Sequence, residues 1–299
     1  EDVPLNGIVT RGVKLTALSN YSILGLPQKG LSEIRFYAIP MRARLEVPAD
    51  GATDVSPVVE LSWRSGREAA RHQVLLGASP DTLNPVATVD EPHYSTSVDL
   101  GSTVFWQINE IGAGPDPAVW EGALWSFGTA PYLTIDDMES YRSQDGSWIW
   151  ETWLDGYDDP GNGALLGHNG DDMEQGIVYD GRQSLPYYYG QGGGAISEAS
   201  RDIEGDWGQH GIGSLSLMFY GEPSNTPGQM YVKIDGQKIA TYATSADLLL
   251  PEWQSWTLDL PASALGNVQS LAIGFEGGSG LVYIDAIRLY PLASESVTP

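Results

Sequence analysis

Apolar residues in this chain recur at every second position, in short runs cut off by glycine, proline, asparagine or aspartate. No stretch keeps a 3.6-residue period long enough for a sizeable helix. Val58-Val-Glu-Leu-Ser-Trp63, Thr103-Val-Phe-Trp-Gln-Ile-Asn109 and Ser214-Leu-Ser-Leu-Met-Phe-Tyr220 are examples. A period of two places alternate side chains on opposite faces, so such runs form strands with one buried face and one wet face, the habit of antiparallel sheets. The 36 Gly and 19 Pro supply turns, and 15 Tyr and 10 Trp within a hydrophobic content of 41 % supply cores. The chain is therefore expected to be all-β, and its 299 residues suffice for two domains and a fragment.

Charge narrows the partners. The net charge of -24 and the pI near 4.2 make nucleic acid and anionic membrane unsuitable, because both require a basic surface. The charge is uneven: residues 1–45 carry six basic and three acidic residues, 46–130 three and twelve, and 131–299 six and twenty-four. A basic end on an acidic body favours head-to-tail association, against the plainer reading of a solvated surface. Without cysteine there is neither a disulfide framework nor thiolate chemistry. No apolar run is long enough to span a membrane, and no signal peptide is visible. A first residue of Glu1 suits a processed or excised product.

Two breaks divide the chain. Glu46-Val-Pro-Ala-Asp-Gly-Ala-Thr-Asp-Val-Ser-Pro57 is a hinge rich in Pro, Gly and Asp, and Thr129-Ala-Pro131 is a second break. Ahead of the first, Gly12–Thr16 and Leu26–Pro40 read as two strands around a Pro/Gly turn, too few to bury a core alone. The expected organisation is an incomplete β segment over residues 1–45, a sandwich over 46–130, a larger sandwich over 131–292 and a tail over 293–299.

The order Trp63, Tyr94, Phe105-Trp-Gln-Ile108 and Trp125-Ser-Phe127 resembles the fibronectin type III family, which implies a spacer or binding module. Asp136-Asp-Met-Glu-Ser-Tyr141, Gly181-Arg-Gln-Ser-Leu185 and Tyr283-Ile-Asp-Ala-Ile-Arg-Leu289 resemble the galactose-binding-like jelly rolls, among which many carbohydrate-binding modules fall. Gly30-Leu-Ser-Glu-Ile-Arg-Phe36 is similar to the closing strand of a discoidin or laminin-G-like domain. Together they resemble an architecture of large secreted bacterial proteins. The resemblance implies an extracellular or cell-surface location and a structural Ca²⁺ site on the jelly roll.

Asp136, Asp137 and Glu139 open the first jelly-roll strand and Asp285 sits in its last, beside the first in this fold. Alternation sends Asp137 and Glu139 to one face and Asp136 to the other. Hard oxygen ligands from adjacent strand ends suit Ca²⁺. The competing reading has the same carboxylates satisfied by backbone N–H groups and by Arg288 or Arg142. The loop Asp155-Gly-Tyr-Asp-Asp-Pro-Gly-Asn-Gly163 has the composition of a calcium loop without EF-hand spacing, and reads equally as a solvated turn, as does Asp171-Asp-Met-Glu174.

For a glycan ligand the aromatic residues lead, since sugar rings stack on exposed aromatic faces. The candidates are Trp148, Trp150, Trp153, Tyr187, Tyr189 and Trp207, each with core packing as the alternative. No motif singles out a carboxylate pair for glycoside hydrolysis, and His72, His93, His168 and His210 lack ligand spacing. The chain is expected to be non-catalytic. Its main functional reading is a self-assembling filament or surface-layer protein in which Ile34, Phe36 and Ala38 form the apolar face of a strand donated to the next copy. The alternative is a carbohydrate-binding module of a larger secreted, polysaccharide-targeting protein.

Overall fold

The computed structural model describes residues 8, 10–16, 34–35, 39–168 and 172–292. Among them are twenty β-strands and a single α-helix of four residues, so the all-β class holds. The described residues fall into two units. Those within Glu1–Ala52, Glu60–Thr96 and Thr103–Phe127 form the first, and those within Thr53–Val59, Ser97–Ser102 and Gly128–Pro299 form the second.

The leading part of the chain carries β1 (Arg44–Val47), β2 (Ala52–Val55), β3 (Val58–Arg64), β4 (Arg71–Gly77), β5 (Asn84–Val89), β6 (His93–Ser97), β7 (Thr103–Ile111), β8 (Val119–Trp120) and β9 (Leu124–Thr129). One sheet has β3 between β1 and β6, and another runs β9-β7-β4-β5. The two-residue period does the sorting: on β3, Leu61 and Trp63 are buried while Glu60 and Arg64 are exposed. Val74, Trp106, Ile108 and Phe127 complete a dry centre, with the Trp106 and Trp125 rings 4.8 Å apart.

The second unit holds β10 (Leu133–Asp136), β11 (Trp153–Leu154), β12 (Leu165–Leu166), β13 (Leu185–Tyr189), β14 (Ile196–Asp206), β15 (Ile212–Tyr220), β16 (Gln229–Ile234), β17 (Gln237–Thr241), β18 (Trp253–Asp259), β19 (Asn267–Glu276) and β20 (Gly280–Pro291). They form two antiparallel sheets, β12-β13-β20-β15-β18 with β10 also on β20, and β11-β14-β19-β16-β17. Leu217, Phe219 and Ile284 of the first sheet share a buried cluster with Val232, Ile273 and Phe275 of the second. Tyr187 crosses between the sheets, its hydroxyl donating to the carbonyls of Ile273 at 2.9 Å and Ser197 at 3.2 Å.

Several sequence expectations need correction. Gly12–Thr16 forms no strand: these residues are exposed, with Val13 and Leu15 at 45 and 57 %, and no described strand pairs with them. Ile34 is likewise exposed and outside any strand, while Phe36 and Ala38, and the tail at 293–299, lie outside the described residues. The strand expected to run through Glu139 stops at Asp136, because Asp136 Oδ1 takes the N–H of Met138 at 2.9 Å and Met138 turns the chain at φ 62°. Alternation therefore does not place Asp137 and Glu139. Asp235 and Gly236 form the two-residue turn between β16 and β17, with φ values of 50° and 73°.

β20 changes face part-way. Val282 and Ile284 are buried on one period, and Ile287 and Leu289 on another, with the slip at Ala286, which has φ 49°. Asp285 sits at that bulge, fully buried. Its Oδ1 accepts the N–H of Ala286, and its Oδ2 those of Tyr179 at 3.0 Å and Asp180 at 3.2 Å. Burial pushes its carboxyl up to about 6, outweighing the three N–H donors that favour the anion. A folded-state value above the unfolded one makes the folded chain bind the extra proton between pH 6 and about 4, so stability from this group increases as pH falls through that window. Urea midpoints are expected to rise from pH 7 to pH 5 in the native chain, and this rise to be missing in Asp285→Asn. Parallel profiles for the two would remove Asp285 as the source.

Candidate functional site

The segment from Trp148 to Gly167 builds one wall of a cleft on the second unit. Trp148 is still extended, with ψ 141°, ahead of the single helical turn Ile149–Thr152. Residues two apart do not meet on a helix, but one extended residue before the turn brings the Trp148 and Trp150 rings together. They stack at 5.1 Å with 14° between planes. Ile149 and Trp153 point the other way into the core, and Trp150 packs partly against it. The stacked pair thus stands on a fixed base.

Asp155 then closes the following loop. Its Oδ1 accepts the N–H of Tyr157 at 3.0 Å and its Oδ2 that of Leu166 at 2.9 Å. Asn162 imitates a strand partner for β14, donating to the Glu198 carbonyl at 2.8 Å and accepting the Glu198 N–H at 2.9 Å. Gly156 allows the tight approach: a Cβ there would lie 2.2 Å from the carbonyl oxygen of Asn162. These bonds present Tyr157 at the surface, 82 % exposed, with Asp158 beside it.

The opposite wall comes from β12 and β13. Tyr188 faces outward from β13 and its hydroxyl lies 2.9 Å from His168 Nδ1, while His168 Nε2 meets Glu174 Oε2 at 2.8 Å. Burial opposes the charge on Glu174, yet the His168 contact and the N–H groups of Gly176 and Ile177 hold its carboxyl below the usual range. Burial, with Glu174 nearby, raises the Tyr188 phenol, which therefore stays protonated and able to donate. The cleft between the walls measures about 890 Å³. Trp148, Trp150, Tyr157 and Tyr188 supply its aromatic surface, Leu154 and Leu165 its aliphatic surface, and Asp155, Asp158 and Gln191 its polar groups.

Of the six aromatic candidates, Trp148 and Trp150 line this cleft. Trp153, Tyr187, Tyr189 and Trp207 are buried in the core at 1, 1, 0 and 3 % exposure, which corrects their reading as glycan contacts. The error at β13 was one of face: the strand turns Tyr187 and Tyr189 inward, and the ring between them reaches the cleft. Tyr188 and Tyr157 are missing from the sequence candidates, because alternation along Tyr187-Tyr-Tyr189 separates the middle ring from the other two without stating which side is the core.

The four carboxylates offered as metal ligands have separate partners. Buried Asp136 accepts from the Tyr141 hydroxyl at 2.5 Å, Trp153 Nε1 at 2.8 Å and the Arg201 guanidinium. Asp137 is exposed and takes the Glu139 N–H at 3.1 Å. Glu139 accepts from the Arg182 and Gln183 N–H groups at 2.7 and 3.0 Å and from Arg182 Nε at 3.1 Å. Asp285 serves the bulge and the 179–180 backbone. β10 does lie against β20, but among the described residues no three Asp, Glu, His or Cys side chains converge as a metal-holding group.

No protein-family model and no curated protein matches the sequence. Solved structures give distant resemblances. One concerns the promiscuous specificity of carbohydrate-binding modules from the β-sandwich superfamily, at 13 % identity over 83 % of this chain and 97 % of that one, with a TM-score of 0.33. CBM27-1 of Caldicellulosiruptor saccharolyticus in complex with mannohexaose is 13 % identical over 56 % of this chain and 100 % of that one, with a TM-score of 0.39. A family 11 carbohydrate-binding module from Clostridium thermocellum, in complex with a β-1,3-1,4-mixed-linked tetrasaccharide, is 14 % identical over 54 and 95 % of the two chains, with a TM-score of 0.33.

Proposed function

We propose that the second unit is a carbohydrate-binding module of an extracellular polysaccharide-targeting protein, and that the Trp148–Tyr188 cleft holds the glycan. The observation that carries this reading is the convergence of a stacked Trp pair, Tyr157 and Tyr188 on one cleft of about 890 Å³, within the range of small-ligand sites. Sugar rings offer apolar C–H faces bordered by hydroxyls. Flat aromatic rings match the faces, and Asp158, Gln191 and the Tyr188 hydroxyl match the hydroxyls.

The polar set favours holding over cleaving. Glycoside hydrolysis needs two carboxyl groups free to act on the substrate, and both oxygens of Asp155 are committed to backbone N–H groups. The filament reading lacks comparable support: Ile34 makes no strand contact among the described residues, and Phe36 and Ala38 lie outside them. No described helix is long and apolar enough to cross a membrane.

Titration with soluble β-linked gluco-, xylo- and manno-oligosaccharides, followed by tryptophan fluorescence and calorimetry, tests the proposal. At least one series is expected to bind saturably and to blue-shift the emission as a sugar covers Trp148. Absence of heat and of any spectral change across all three series would overturn it.

A further inference from the structure

Acidic residues outnumber basic ones 39 to 15, so a surface guanidinium on this chain has abundant carboxylates with which to pair. Around one cavity of the first unit only one of three arginines does so. A depression of about 540 Å³ is lined by Arg44, Arg64 and Arg67 together with Trp63, Ser65 and Ile39. Arg67 reaches Glu68 at 3.2 Å. Arg44 Nη1 donates to the Ser65 carbonyl at 3.0 Å, and among the described residues neither Arg44 nor Arg64 forms an ion pair.

Register makes this more costly. β1 and β3 pair antiparallel with Arg44 directly opposite Arg64, and like charges facing each other across a strand pair repel. The loop beneath them is also held in place. Gly66 N–H donates to Glu110 Oε1 at 2.7 Å and Arg67 N–H to the Pro40 carbonyl at 2.9 Å. Glu110 is wholly buried and its Oε2 pairs with Nδ1 of His72, itself 3 % exposed, and the Trp63 ring packs edge-on against that imidazole at 5.4 Å. Gly66 sits so close to the segment ahead of β1 that a Cβ would lie 1.9 Å from the Met41 oxygen. Two arginines opposed across a strand pair, neither in an ion pair among the described residues, thus line a cavity whose Gly66 backbone a buried carboxylate holds.

We infer that this cavity binds a single oxyanion group, a carboxylate or a sulfate, bridging Arg44 and Arg64. A guanidinium fork matches both groups bidentately, and a bridging anion turns the cross-strand repulsion into attraction. The ligand carries its charge sparsely, because a net charge of -24 repels any densely charged polyanion while leaving a single group inside the cavity within reach of the arginines. An otherwise neutral saccharide bearing one uronate or one sulfate fits this description.

Arginine Nε–H resonances of the ¹⁵N-labelled chain report on the site. Titration at low salt with glucuronate and with sulfate is expected to shift the Arg44 and Arg64 signals saturably with at least one of the two, and glucose to leave them still. Binding is expected to weaken about tenfold or more in Arg64→Gln, and to weaken as salt rises. Arg64→Lys, which keeps the charge and loses the fork, is expected to fall between. Sulfate without glucuronate, or the reverse, identifies the group. Glucose acting as well as glucuronate, a folded Arg64→Gln chain titrating like the native one, or heparin binding more tightly than both small anions would each overturn the inference.

Discussion

Replacing Asp136 by alanine is expected to destabilise the second unit by about 3–5 kcal/mol, the cost of breaking a buried charge pair by removing one partner. Asp136 ends β10 and collects the Tyr141 hydroxyl, the Trp153 indole N–H, the Met138 N–H and the Arg201 guanidinium. Arg201 is only partly exposed and its Nε already lacks an acceptor, so the loss of Asp136 leaves a partly desolvated cation beside three orphaned donors. Urea unfolding followed by near-ultraviolet circular dichroism checks this. A midpoint close to native would mean that the Asp136 network is not a keystone. Asp136→Asn keeps the shape and an acceptor, loses the charge, and is expected to fall between. Glycan affinity is expected to drop in the alanine variant too, because Trp153 anchors the segment that carries Trp148 and Trp150.

Replacing Trp148 by alanine is expected to weaken glycan binding about 10- to 100-fold, or about 1.4–2.8 kcal/mol, with the fold retained. Trp148 is half-buried, and one of its faces is taken by Trp150. Removing it strips the aromatic wall while leaving Ile149 and Trp153 seated in the core. Phenylalanine at the same position is expected to recover part of the affinity, as a flat ring of smaller area. Calorimetry with the tightest-binding oligosaccharide separates the outcomes. A folded alanine variant that binds like the native chain would move the site away from this cleft. Trp153→Ala provides the contrast: its side chain is 1 % exposed, so its primary effect is expected in the unfolding midpoint, at about 3–5 kcal/mol.

Where a strand carried its own alternation, the sequence was sufficient to recognise it. β3, β7, β15 and β18 each bury one period of apolar residues and show it plainly in their residues. The eleven-residue β14 does not. Its inward positions near the start are Ser197 and Ala199, small residues that leave no apolar rhythm to read. Likewise the loop after Asp155 has the composition of a solvated turn or a calcium loop. What it became was settled by Asn162 binding the backbone of Glu198, a residue 36 positions away.

The sequence by itself determined the all-β class, because a two-residue period leaves an antiparallel sheet with one buried face as its stable outcome. It also offered as candidates Trp148 and Trp150, which line the cleft. Only the tertiary structure decided which face of Tyr187-Tyr188-Tyr189 turned inward, which carboxylates met donors instead of one another, and that Tyr157, Tyr188 and the tryptophan pair share one cleft. Period two states that neighbours point apart without stating which side is the core, and a carboxylate's partner is chosen by strands remote in sequence. Both are properties of the packed sheets, and neither is present in any local stretch of the chain.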